Sequence, residues 1–475
     1  MNTISIAWIG LPFFVGFLIY LIPKLDRYLA MGMAVASGVY ALLLFTEQAP
    51  LTLQLLDNFG VTLVIDQLSG YFILTNALVT AAVILYCWQT GKTAFFYAQT
   101  IILHGSINAA FVCSDFISLY VALEVSGIAA FLLIAYPRSD RSIWVALRYL
   151  FVSNVAMLFY LVGAVLAYKA NHSFGFASLR GAPPEALALI FLGLLVKGGI
   201  FVSGLWLPLT HSESETPVSA MLSGVVVKAG VYPLVRCALT LDEIDPIIRI
   251  FGVGTALLGV FYAVFEKDTK RMLAFHTVSQ LGFILAAPVV GGFYALTHGL
   301  VKSALFLISG ALPSRNFQEL QHKPISTPVW IALVMASFSI SGFPMLSGFG
   351  AKVLTTKNLL PWQVIAMNIA ALGTAISFAK FIFLPRGGQT DIRPGFWPPV
   401  ILLIGGLIAA NVVYFDAYTV ANIIKPLAII GVGWLAYLVI FQKTILKLPR
   451  LLEQFEHLIG VMSLMLILLF WMVFP

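Results

Sequence analysis

Uncharged, strongly apolar runs of about 20 residues recur along this chain from end to end, the length an α-helix needs to cross a bilayer. They fall at 4–22, 29–46, 66–88, 94–112, 114–136, 146–168, 186–209, 217–239, 247–265, 271–289, 292–312, 326–350, 361–385, 396–415, 421–441 and 456–474. The weak alternation in pieces of about ten residues that marks a transmembrane barrel is absent. The pattern predicts an all-α polytopic membrane protein with 14 to 16 spans, two of the weaker runs being half-helices or interfacial segments at the lower count. Glycine and proline interrupt two runs, KGGIFVSGLWLP at 197–208 and ISGFPMLSGFGAK at 340–352, and predict broken helices there. The first run has no basic start and no small-residue cleavage pattern, so it is expected to persist as a helix.

Composition agrees with this reading. Of 475 residues, 60% are hydrophobic and 10% are charged, and the mean hydropathy is +0.97. Basic residues crowd into alternate connections: Lys24 and Arg27; Lys92; Arg138, Arg141 and Arg148; Lys267, Lys270 and Arg271; Arg315 and Lys323; Arg386 and Arg393; Lys443, Lys447 and Arg450. The opposite connections hold only Lys169, Arg180, Arg249, Lys352 and Lys357. Such a bias sets orientation by the positive-inside rule and predicts that both termini face outward. The net charge of +7 is thereby a matter of topology, not of nucleic-acid binding.

Charge inside the apolar runs is the feature that carries chemistry. An ammonium at the bilayer centre costs roughly 3 kcal/mol on insertion scales, so it faces a polar interior and handles ions or protons. Lys197 lies about eleven residues from either end of its run, near 16 Å of helix rise, too far for its stem to snorkel to the interface. Lys228 also sits mid-run, after Pro217 and before Pro233. Lys302 has His298 four residues earlier, on the same helix face, a pairing suited to proton relay. Lys380 is about six residues from the inner end of its run, so snorkelling competes with a pathway role. Lys352, after the second interrupted stretch, is either a pathway residue or an outer anchor. Glu124 lies well inside its run and is expected to pair with a lysine from another helix. Asp115, nine residues earlier, is expected at the interface, and Arg236 is expected to snorkel. Ser106, Asn108, Asn154, Ser203, Ser223 and Asn368 are candidates to anchor bridging water.

Cys87, Cys113 and Cys237 form no CxxC or Cys/His ligand set and are expected to be packing residues. Glycine-rich nucleotide loops, a Walker motif and a nucleophile elbow are absent, so no metal, cofactor or catalytic residue is expected.

Seven blocks together resemble the antiporter-like subunits of Mrp-type cation/proton antiporters and of respiratory complex I. They are SDFISLYVALEVSGIAAFLLI (114–134), KGGIFVSGLWLP (197–208), HSESETPVSAML (211–222), VVVKAGVYPLVR (225–236), KDTKRMLAFHTVSQLGFIL (267–285), FYALTHGLVKSALFLISGAL (293–312) and SGFPMLSGFGAK (341–352). The resemblance implies two inverted five-helix bundles, each with a broken helix, at 94–240 and 241–390, flanked by further membrane helices at 1–93 and 391–475. It implies a proton pathway through Glu124, Lys197, Lys228, His298, Lys302 and Lys380, with Asp115 and Lys352 as accessories. Within the family, the chain most resembles the D subunit of the Mrp antiporter. Val202 and Gly204 stand where complex I relatives carry Pro and His, and Ala122 and Leu123 where they often have Trp. The expected function is therefore that of a non-enzymatic subunit of a multisubunit Na⁺ or K⁺/H⁺ antiporter in a bacterial plasma membrane, partnered by sister subunits. The alternative is a proton-pumping membrane-arm subunit of a complex I-like oxidoreductase or membrane-bound hydrogenase. A stand-alone carrier of an organic solute is disfavoured by the row of lysines.

Overall fold

A computed structural model describes residues 2–47, 49–56, 60–388, 392–442 and 448–473. Helices α1 (Asn2–Leu21) and α2 (Asp26–Leu44) lead into a hairpin of β1 (Leu51–Leu56) and β2 (Gly60–Ile65). Next come α3 (Gln67–Cys87), α4 (Ala94–Ala110), α5 (Phe116–Ile134), α6 (Asp140–Asn171), α7 (Pro184–Gly198), α8 (Leu207–Glu213), α9 (Thr216–Met221) and α10 (Lys228–Thr240). The chain continues through α11 (Asp245–Phe265), α12 (Thr269–Ala286), α13 (Gly291–Ser309), α14 (Phe317–Leu320), α15 (Thr327–Ser341), α16 (Ser347–Lys357) and α17 (Gln363–Ile382). It closes with α18 (Trp397–Val412), α19 (Val420–Ala436) and α20 (Phe455–Val473). Each apolar run coincides with helix. Among the described residues, 12 helical segments are long and apolar enough to span a membrane, and α15 and α18 are shorter apolar helices. The chain is a multi-pass, all-α membrane protein.

Both interrupted runs are broken helices. Gly199 ends α7 at φ +70°, a left-handed conformation that a side chain would strain, and a short 3₁₀ segment, Phe201–Trp206, leads into α8. Gly342 ends α15 in the same way at φ +83°, and the chain restarts at α16. Elsewhere, helix starts are capped from within: Asp66 accepts from Ser69 N, Asp115 from Ser118 N, and Asp268 from Arg271 N. Such caps satisfy orphan backbone donors where solvent is scarce.

Burial sorts the helices. In α10 every residue from Lys228 to Ala238 is buried, whereas in α19 only Ile430 and Gly433 are. The apolar periphery faces lipid, so polar groups are tolerated only in the centre.

Two sequence expectations change. The β1–β2 hairpin departs from an all-helical chain; its Val64 N–H donates to Val112 and its Thr62 N–H to Asp115 Oδ2 at 2.8 Å. Asp115 stays at the end of α5, but as a fully buried cap and hairpin clasp. Arg236 does not snorkel; it forks onto Asp66, with Nη2 2.9 Å from Oδ1, and tethers α10 to α3. Lys443 and Lys447 of the last basic connection lie outside the described residues.

Candidate functional site

Lys197 occupies the last turn of α7, next to the break at Gly199. Its side chain is 4% exposed, and Nζ donates to Ser153 Oγ on α6 at 2.7 Å. The Glu124 carboxylate, on α5, is half-buried, and its Oε1 has no hydrogen-bond partner among the described residues. The two groups make no contact within 4.0 Å. They are nonetheless neighbours, because a Cβ at Gly127 of α5 would lie 2.9 Å from Lys197 Nζ. Gly127 is three residues from Glu124, about 4.5 Å of helix rise. A rotation of the flexible lysine stem would thus carry its ammonium from Ser153 toward Glu124. The lack of a side chain at Gly127 keeps that path open.

Lys228 begins α10 directly after a π-turn, Leu222–Val226. The extra residue in such a turn widens the helix, a distortion often found at functional sites. Lys228 Nζ donates to the Gly224 carbonyl of this turn and lies 3.5 Å from that of Ser223. Ser223 Oγ and Thr277 Oγ1 of α12 are hydrogen-bonded at 2.7 Å. Thr277 Oγ1 donates to the Leu273 carbonyl, which also accepts from Lys302 Nζ on α13. Ser223, Thr277 and one carbonyl therefore join Lys228 to Lys302 across three helices. His298 lies one turn from Lys302, buried, with neither ring nitrogen hydrogen-bonded among the described residues.

Lys380 on α17 reaches the C-terminal end of α11, where Nζ donates to Ala263 O at 3.1 Å and Glu266 O at 2.8 Å. A helix C-terminus favours a cation. Glu266, in the connection after α11, carries the nearest carboxylate of this end. Its burial pulls its pKa up, but the Arg271 charge and the N–H groups of Asp268 and Lys267 outweigh this and hold it below the usual carboxylate range. Lys352 on α16 bends back across the second break and donates to Ser341 O at 3.2 Å.

The lysine ends converge on the interior, while Asp115 stands apart as a cap. Several polar residues beside the lysines carry little signal in the sequence. Asn154 was the expected polar group on α6, but it is exposed and Ser153, one residue earlier, meets Lys197. Thr277, His211 and His276 are further buried polar groups of this interior, and the His276 ring nitrogens lack partners among the described residues. Their signal was polar residue type within an apolar helix, in HSESETP and AFHTVSQ.

With this geometry in place, known proteins supply a second line of support. Residues 113–377 match the family model described as NADH:quinone oxidoreductase/Mrp antiporter, TM. The N subunit of the NADH-quinone oxidoreductase of Desulforudis audaxviator is 30% identical over 79% of this chain and 81% of its own length. The D subunit of a Na(+)/H(+) antiporter of Alkalihalophilus pseudofirmus is 27% identical over 87% of this chain and 94% of its own. Among solved structures, a chain of an archaeal membrane-bound sulfane sulfur reductase superposes with a TM-score of 0.77 at 21% identity, covering 92% of this chain and 100% of that one. A chain of the Mrp complex from Dietzia sp. gives 0.74 at 19% identity, covering 95% and 98%. At these identities the superpositions speak for the fold. Family model, relatives and broken-helix architecture agree, and this chain belongs to the NADH:quinone oxidoreductase/Mrp antiporter family of membrane subunits.

Proposed function

We propose that this chain is a proton-translocating membrane subunit of a multisubunit Na⁺ or K⁺/H⁺ antiporter, without redox chemistry of its own. One observation carries the proposal. Lys197, Lys228, Lys302, Lys352 and Lys380 are all buried, and each donates to a neutral oxygen: a serine hydroxyl for Lys197, main-chain carbonyls for the others. An interior ammonium without a counter-charge is poorly compensated, and such groups mark proton pathways rather than static ion pairs. The pathway runs through Glu124, Lys197, Lys228, His298, Lys302 and Lys380, with Lys352 at the second break. Lys197 moves between its seat on Ser153 and a pairing with Glu124, and that alternation opens and closes the first half of the route. Mobile water serves the unpartnered histidine nitrogens. Basic connections face the cytoplasm of a bacterial cell, both termini face out, and sister subunits complete the cation path.

Two measurements test this reading. Ala at Glu124 or Lys197 is expected to abolish ΔpH-driven sodium or potassium exchange in inverted vesicles while the complex still assembles, and Glu124→Asp to keep part of the activity. Full exchange by both alanine variants would defeat the pathway. The similarity to an NADH-quinone oxidoreductase component supports a second reading, membership of a quinone-reducing complex. Mass spectrometry of the complex isolated in mild detergent separates the two: iron–sulfur or quinone-site subunits favour the second, small hydrophobic antiporter subunits the first.

A further inference from the structure

A cavity of about 130 Å³ lies where α16, α17 and α19 meet, away from the Lys228–Lys302 bridge. Three ammonium-bearing side chains line it: Lys352 and Lys357 from α16, and Lys425 from α19. Among the described residues none of the three forms an ion pair. No carboxylate belongs to the lining. Neutral hydrogen-bonding residues complete the polar part of the lining. Asn368 and Asn422 also line the cavity, Asn422 with its amide N–H donating to Ala417 O, as do Ser341 and Thr355, whose buried hydroxyls have no partner among the described residues. The remaining wall is apolar, with Phe283, Met367 and Ile429 among its members.

These features select a ligand class. The unpaired ammonium groups of Lys357 and Lys425, with the Lys352 amine behind them, repel a metal cation and attract an oxyanion. Unpartnered buried hydroxyls call for an acceptor. The apolar wall suits a hydrocarbon chain beside the charged group, and α19 is lipid-facing, with Ile424 61% exposed. Lys357 and Lys425 are exposed at the end of α16 and in the first turns of α19, and lysines near the ends of membrane helices recognise anionic lipids. We propose that this cavity binds the phosphodiester headgroup of an anionic phospholipid, held by Lys357, Lys425 and Lys352, with an acyl chain laid along α19.

The test leaves Lys352 unchanged because it belongs to the pathway proposed above. The purified complex, stripped of lipid in detergent, is incubated with phosphatidylglycerol or phosphatidylcholine, and retained lipid is measured by native mass spectrometry. Wild type is expected to retain phosphatidylglycerol in preference. The double variant K357Q/K425Q is expected to lose that preference, at roughly fivefold per lysine, with its subunits and thermal unfolding unchanged in phosphatidylcholine. Equal retention of both lipids by wild type, or unchanged preference in the double variant, would overturn the proposal. So would loss of a sister subunit from the double variant, which would make the cavity a protein contact. A third arm uses inorganic phosphate: displacement of the lipid by phosphate at equal concentration would assign the site to a free oxyanion and refute the lipid.

Discussion

Ser153→Ala removes a single oxygen and isolates the role of the neutral seat for Lys197. The Ser153 hydroxyl is buried, and it accepts from the ammonium at 2.7 Å. A hydrogen bond to a charged group is worth about 1.5–3 kcal/mol, and its loss in a buried site falls in full on the group left behind. That corresponds to a shift of roughly 10- to 150-fold in the balance between the Ser153 seat and the pairing with Glu124. If the cycle must pass through both arrangements, over-stabilising the carboxylate pairing makes escape from Glu124 the slow step. The initial rate of ΔpH-driven cation uptake in inverted vesicles, normalised to the amount of assembled complex, is expected to fall about tenfold or more. Ser153→Thr keeps the hydroxyl and is expected to retain most of the rate. An alanine variant as fast as wild type would refute the two-seat reasoning. A threonine variant as slow as alanine would show that volume at α6, not the hydrogen bond, matters.

Three further outcomes test other parts of the structure. Thr277→Val preserves shape but cuts the link from Ser223 to the Leu273 carbonyl, so exchange is expected to drop roughly fivefold, for about 1 kcal/mol, with assembly intact; an unchanged rate would mean that the Lys228–Lys302 bridge plays no part. Glu453→Ala leaves Arg271, 6% exposed, without its bidentate partner at 2.8 Å. A loss of about 3 kcal/mol is expected, the low end for a broken buried pair because Glu266 still accepts from Arg271 Nε, and thermal unfolding in detergent reads it. The third outcome concerns acid stability. Burial raises the Asp66 pKa, but the hydrogen bond and charge of Arg236, with the Ser69 N–H, outweigh it and place the carboxyl below its ordinary 3.8. A depressed folded pKa contributes stability above 3.8 that disappears as pH falls through the folded value. Wild type is expected to lose more stability than Asp66→Asn on acidification below 3.8, and parallel pH curves for the two would contradict this.

How far the site was legible depends on which residue is asked. Lys197, Lys228 and Lys302 declare themselves, because a charge far from either end of an apolar run has few places to go. The hairpin was hidden because LTLQLL and GVTLVI carry alternation too short and too apolar to stand out in a chain of hydrophobic runs. The partners of Asp115 and Arg236 are not legible in the sequence for one reason. Depth along a helix can be counted, but a partner such as Asp66, 170 residues from Arg236, cannot.

By itself the sequence determined the multi-pass helical class, the positions of the spans, the two breaks and the depth of the lysines. Run length and glycine placement act locally, so they survive translation from one dimension to three. Only the tertiary structure decided which polar group each lysine meets. Ser153 and Lys197 are 44 residues apart, and Ser153 rather than Asn154 faces inward because of the rotation of α6 about its axis. Neighbouring residues differ by about 100° around a helix, so one position separates the interior from lipid. An α6 sequence apolar on every side leaves that rotation unmarked, and the packing of α5 and α7 against it sets the phase.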